Sequence, residues 1–254
     1  MSPSAFVRRP VLTSQTLAEQ FGPIVAVHAS VINRGDASVD VREARARIRA
    51  GRHAFDAATL LRSADDLNRS FHRIAAAFER TGVESSARLT DLRGRTLSVT
   101  TMMVAWSNGD SVPRDPVMRF ARIVAGVVAN AVLSSAASSV TKGFPLTAWK
   151  RTQCPCCGAS PDLVIVTEKR RTLICWRCDT TWRTDIAGCL GCGEDSPPTL
   201  FRVPSPYQGY ELAVCNSCGR YVKERRGGPS QALLVERALT IGLDEAAQLR
   251  GLRT

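Results

Sequence analysis

A chain of 254 residues, 44% of them hydrophobic, is long enough to bury a core, and that composition excludes a disordered tail. Thirty-four Lys and Arg against 23 Asp and Glu leave a net charge of +11, which suits acidic partners, yet only Lys142, Lys150, Lys169 and Lys223 are lysine and the basic residues are scattered. The densest run, RYVKERR at 220–226, is interrupted by Glu224 and reads as solvated surface in preference to a nucleic-acid patch.

In chain order, the N-terminal stretch AFVRRPVLTSQTLAEQFG carries Arg8 and Arg9 but follows them with Thr13, Ser14, Gln15 and Thr16 where an export signal needs an apolar run. A cytoplasmic protein is expected. DVREARARIRAG predicts a short Arg-rich helix with Asp40 as N-cap, Glu43 at the capping-box position and Gly51 at the far end. From Asp56 to Gly82, Leu60, Ala64, Leu67, Phe71, Ile74 and Phe78 recur at three- and four-residue steps, which predicts one amphipathic helix. Residues 95–112 fit a strand or a helical turn ending in the loop SNGDSVP. A third helix runs from about Asp115 through Val140. It contains IVAGVVANAVLSSAASSVT, 19 uncharged residues that could span a bilayer, but Asn130 and four serines favour a buried core helix over a membrane span.

After residue 148 the texture changes to short apolar runs at 163–166, 172–176, 199–203 and 210–214, each read as a strand. From Pro229 a helix returns, with Leu233, Leu234, Ala238, Ile241 and Leu249 as its expected apolar stripe.

All nine cysteines lie between 154 and 218. In a reducing compartment they point to metal ligation or redox chemistry, not structural disulfides. Eight form C-x2-C pairs separated by 17, 10 and 22 residues: Cys154 with Cys157, Cys175 with Cys178, Cys189 with Cys192, and Cys215 with Cys218. Such a pair wraps two sulfurs around one metal, and a residue that tolerates a left-handed backbone follows the second sulfur. Gly158, Gly193 and Gly219 stand there in the first, third and fourth knuckles, with Asp179 in the second. Taken in order the pairs make two four-cysteine sites, Cys154, Cys157, Cys175 and Cys178, then Cys189, Cys192, Cys215 and Cys218. Cys156 is the spare thiol, pointing away from the metal.

Two metal ions per chain are therefore expected, and tetrahedral thiolate suits iron as well as zinc. Each module of about 40 residues is too small to fold on its apolar burial alone, and a metal worth on the order of 10 kcal/mol makes up the difference. Four thiolates leave no open position for water or substrate. Thiol redox chemistry through CPCC would need a helix after the motif, where a strand hairpin is predicted. His28, His53 and His72 are not at metal spacing, and no nucleophile or nucleotide motif is present. The chain reads as α+β and not an enzyme: a helical N-terminal domain at 1–148, rubredoxin-like or zinc-ribbon metal modules at 149–187 and 188–228, and a C-terminal helix at 229–254.

The residues inside the knuckles carry a resemblance. QCPCCGASP, CWRCDTTWR with Thr181 and Trp182, CLGCGE, and CNSCGRYVKE with Gly219, Tyr221 and Lys223 resemble the formate dehydrogenase accessory (maturation) proteins of the FdhE type. LLVERALTIGLDEAAQLRG, with its Leu243 and Asp244 step, resembles that family's C-terminal helix. The resemblance covers about the last 110 residues, and the first 145 do not share it. It implies two rubredoxin-like modules, each holding one metal ion, often iron. It also implies a cytoplasmic partner, the immature catalytic subunit of a molybdenum or tungsten formate dehydrogenase. A zinc-ribbon nucleic-acid binder is the alternative from another class, but Trp176, Trp182, Tyr207 and Tyr210 are not interleaved with a basic stripe.

Overall fold

The computed structural model describes residues 14–34, 38–82, 86–167, 170–202, 209–227 and 232–253. Arg8, Arg9, Tyr207 and Pro229 lie outside the described residues. Helices α1 (Ser14–Arg34), α2 (Val41–Arg49), α3 (Ala57–Ser63), α4 (Leu67–Thr81), α5 (Ser86–Arg93), α6 (Val99–Asn108) and α7 (Pro116–Thr141) come first. Strands β1 (Pro161–Thr167), β2 (Arg170–Cys175), β3 (Thr181–Thr184), β4 (Thr199–Arg202), β5 (Tyr210–Val214) and β6 (Tyr221–Arg226) follow, and helix α8 (Leu233–Gln248) ends the chain. The chain divides into two units. One holds Phe21–Ser160 and Cys175–Trp182, the other Met1–Gln20, Pro161–Ile174 and Arg183–Thr254.

In the helical unit the caps do what the sequence dictates. Asp40, Asp56 and Asp115 each accept a hydrogen bond from the backbone N–H three residues on, at 3.0, 2.7 and 2.8 Å, and so start α2, α3 and α7. The single helix expected from Asp56 to Gly82 is two. Its ends are as expected, with Gly82 closing α4 at φ 66°, but Asp66 adopts φ 55° and breaks the run between Ser63 and Leu67. The ambiguous 95–112 segment contains α6, started by Ser98 and stopped by Gly109.

Helix α7 is the centre of this unit. Phe120, Val124, Val128, Val132 and Leu133 are all buried, and Phe120 meets Phe78 of α4 edge-on at 5.5 Å. Among the described residues α7 is the one helix long and apolar enough to cross a membrane, and 83% of its most apolar stretch is buried inside the protein, the setting of a core helix.

The strands form a six-stranded sheet in the order β3-β2-β1-β6-β5-β4. β4, β5 and β6 run antiparallel to one another in turn, whereas β1 pairs with β6 in parallel, Leu163 opposite Lys223 and Ile165 opposite Arg225. Helix α8 packs on one face, where Leu243 and Ala247 bury against Leu163, Ile165, Leu212 and Tyr221. The expected stripe of α8 is corrected here. Ile241 and Leu249 are exposed, and the inward positions are Val235, Glu236, Thr240, Leu243 and Ala247.

Candidate metal centres

The eight paired cysteines converge as two groups of four, Cys154, Cys157, Cys175 and Cys178 in the helical unit, and Cys189, Cys192, Cys215 and Cys218 in the sheet unit. All sulfurs of a group lie within 4.8 Å of one another. In the first group, Sγ of Cys154 is 3.5 Å from that of Cys178, and Cys157 is 3.5 Å from Cys175. In the second, Cys189 to Cys218 and Cys192 to Cys215 are both 3.7 Å. A tetrahedron with metal–sulfur bonds of about 2.3 Å has edges of about 3.8 Å, so both groups have the size of a four-thiolate site for a single ion.

One local geometry builds all four knuckles. The first cysteine donates its N–H to the carbonyl five residues on, from Cys154 to Ala159, Cys175 to Thr180, Cys189 to Glu194 and Cys215 to Arg220, at 2.8 to 3.0 Å. Its carbonyl accepts from the residue four on, which is Gly158, Asp179, Gly193 or Gly219. That residue has φ between 56° and 77°, the left-handed region. Inside the knuckle, the N–H groups of Arg177 and Gly191 point at the sulfurs of Cys175 and Cys189, at 3.4 and 3.3 Å. Gly188 is required for a separate reason, because a Cβ there would fall 2.0 Å from the Glu194 carbonyl oxygen.

The thiols share their charge unevenly. Burial pushes Cys175 and Cys178 well above the ordinary thiol range. Burial works on Cys154 the same way, but hydrogen bonds from Cys156, Cys157, Cys175 and Cys178 outweigh it and hold Cys154 well below that range. In the second group, the Cys218 backbone N–H brings Cys215 down to about 7. Cys192 is pushed up to about 12: a backbone hydrogen bond at Glu194 opposes this, and desolvation with the neighbouring thiols prevails. Each cluster thus holds one thiol shifted towards the thiolate beside others shifted away from it, and a cation is the group whose charge would favour thiolate at the raised positions as well.

No family model matches the chain. It is 24% identical over 108 residues to the FdhE homolog of Shewanella baltica, covering 40% of this chain and 36% of that protein. To the FdhE homolog of Shewanella oneidensis it is 25% identical over 104 residues, covering 39% and 34%. The chain therefore aligns with about a third of the length of these curated relatives. The crystal structure of the FdhE protein from Pseudomonas aeruginosa matches with a TM-score of 0.61 at 16% identity, over 95% of this chain and 94% of that one. The chain has the FdhE fold.

Within the FdhE fold, the residues around the thiols have identifiable tasks. Trp182 is buried and its indole N–H donates to the Arg151 carbonyl at 3.2 Å, tying the second knuckle to the approach of the first. The Tyr221 hydroxyl and Lys223 Nζ both donate to the Asp244 carboxylate of α8, at 2.9 and 2.7 Å. Arg225 pairs with the buried Glu236, and Arg237 with Asp162 at 2.8 Å. RYVKERR is therefore not the solvated surface that its composition predicts. Its alternate residues Tyr221, Lys223 and Arg225 face α8, where acids meet them.

Three supporting residues of the first site carry no signal in the thiol spacing. Asn130 of α7 donates to the Arg177 carbonyl and to Asp179 Oδ1, at 3.2 and 3.1 Å, while its own carbonyl oxygen is 2.7 Å from His28 Nε2. Ser134, one turn on, donates to Asp179 Oδ2 at 3.2 Å. His53 Nδ1 is 2.9 Å from the Cys154 carbonyl oxygen, and the Ala54 and Phe55 N–H groups donate to the carbonyls of Pro155 and Cys156 at 3.0 Å. The polar residues within the apolar α7 sequence are the one signal that points to this support. His72 is exposed, against the edge of Phe71.

Proposed function

We propose that this chain is a non-catalytic accessory protein for formate dehydrogenase, which acts in the cytoplasm on the immature molybdenum- or tungsten-dependent catalytic subunit. The observation that carries this reading is the pair of closed four-sulfur groups on the FdhE fold. Cys154, Cys157, Cys175 and Cys178 hold one ion and Cys189, Cys192, Cys215 and Cys218 the other, iron or zinc, with no coordination position left for a substrate. The ion supplies structure: it offsets part of the charge of four thiolates and closes two knuckles against each other. Supporting the same reading, the non-ligand residues that resemble the family are used in the fold, Tyr221, Lys223, Leu243 and Asp244 among them. The nucleic-acid alternative gains no support, since basic side chains of β6 are matched to Glu236 and Asp244.

Capture from the native host tests the partner, and a gene deletion tests the role. The expected outcome is recovery of a molybdenum or tungsten oxidoreductase subunit, and loss of formate dehydrogenase activity while that subunit is still made. Normal formate oxidation in the deletion strain, with DNA binding by the purified protein that collapses between about 50 and 200 mM salt, would overturn the reading. Metal analysis tests the ligands. Cys156→Ser is expected to keep both ions and Cys157→Ser to lose one, so equal loss in both would remove Cys156 from its role as spare thiol.

A further inference from the structure

The two groups differ in what covers them. At the first, the four cysteines are all buried, and so are Pro155 and Cys156 at the tip of the opening knuckle. Both tips are held by the helical unit. The Pro155 and Cys156 carbonyls accept from Ala54 and Phe55, the Arg177 carbonyl accepts from Asn130, and Trp176 meets Trp106 edge-on at 4.8 Å. Opening this site means breaking those contacts together with the metal–sulfur bonds.

At the second group, Cys192 is exposed and Cys218 half-exposed. Gly191 and Gly193 on either side of Cys192 are exposed, as are Asn216 and Ser217 at the facing tip. The side-chain hydrogen bonds at that tip are themselves exposed: Asn216 with Thr199, Ser217 with Glu194, and Arg253 to the Cys218 carbonyl at 2.7 Å.

We infer that the second site is an exchangeable centre, opened at the Cys192 sulfur to chelating or thiolate ligands from solvent, whereas the first is a closed structural centre. The inference rests on the eight-cysteine ligation proposed above. Exchange is a substitution with no change of oxidation state: the bond from the ion to the Cys192 sulfur breaks, a bond to the incoming donor forms, and Cys192 takes a proton from solvent or from the incoming thiol. Cys192 and the glycines beside it are exposed, so the sulfur that leaves moves into water and no buried charge is created in that step. At the first site the same substitution puts an unpaired thiolate or an incoming ligand into a closed interior, and it waits for local opening.

The test is release of zinc from the fully loaded, full-length protein into an excess of a colorimetric chelator. Two kinetic phases of one equivalent each are expected, the slower by at least about tenfold, as sub-global opening requires. Cys157→Ser should retain only the fast ion and Cys192→Ser only the slow one. A single phase for both ions, or the reverse assignment, would overturn the inference. Alkylation of the wild-type protein during chelation, followed by mass spectrometry, reads the order of opening without a variant: modification at Cys192 and Cys218 before Cys154 and Cys175 supports the inference, and the opposite order sinks it. Failure of the ligand assignment is distinguishable, because the starting protein would then hold fewer than two equivalents.

Discussion

Asp179 shows how much a single position in a knuckle can carry. The other three knuckles put glycine at this left-handed position, and a side chain there costs about 1 kcal/mol or more. Asp179 offsets that cost with its carboxylate, which accepts from Asn130 and Ser134 one turn apart on α7. Asp179→Ala keeps the strain and loses the clamp, so unfolding free energy should fall by about 2–3 kcal/mol. Asp179→Gly removes both and should recover about 1 kcal/mol of that. Denaturant unfolding followed by tryptophan fluorescence separates them, and Asp179→Gly matching or exceeding the parent protein would show that the clamp contributes nothing net. At this scale the pairing of the cysteines into knuckles is legible in the sequence, because a C-x2-C turn is fixed by four adjacent residues. Asn130 is legible only as an oddity in an apolar helix, since its partner lies 49 residues away.

Elements are legible where a cap or an uninterrupted period marks them, and obscured where a tertiary partner overrides the pattern. Asp115 and the apolar run after it mark α7, and Asp56 and Gly82 mark the outer ends of α3 and α4. Helix α1 has no such mark, and the pair Gly22 and Pro23 reads as a breaker in its middle. The inward face of α8 departs from its apolar stripe because two of its buried residues, Glu236 and Thr240, are polar and look like surface until Arg225 and Lys223 are seen against them. β6 is hidden for the reciprocal reason. The join between these elements is testable at Asp244: its removal takes the carboxylate from a Lys223 ammonium that is 4% exposed. Asp244→Ala should therefore destabilise the protein by about 3 kcal/mol and accelerate hydrogen exchange throughout α8. Unchanged exchange in α8 would mean that its apolar residues hold it alone. Tyr221 stays a donor in this arrangement, because burial, reinforced by the Asp244 carboxylate, pushes its hydroxyl well above the usual phenol range.

At the scale of the whole molecule, composition and cysteine placement are enough for an α+β chain with helices first, thiol knuckles after and a closing helix. The strand order is not legible, because nothing local in β1 or β6 specifies a parallel neighbour. That pairing has a consequence for the order in which the protein can be made. Leu163 waits for Lys223, 60 positions later, and at about 5–20 residues per second the ribosome needs several seconds to deliver it. Until then β1 presents an unpaired apolar edge, with Leu163, Val164 and Ile165 side by side. A chain ending at residue 220 should accordingly sediment as aggregate, while one carrying β6 and α8 stays dispersed; a dispersed 220-residue chain would show that the edge protects itself. The nascent protein is thus, for those seconds, a client for whatever shields strand edges at the tunnel exit, a vulnerability set by topology and independent of the thiol clusters.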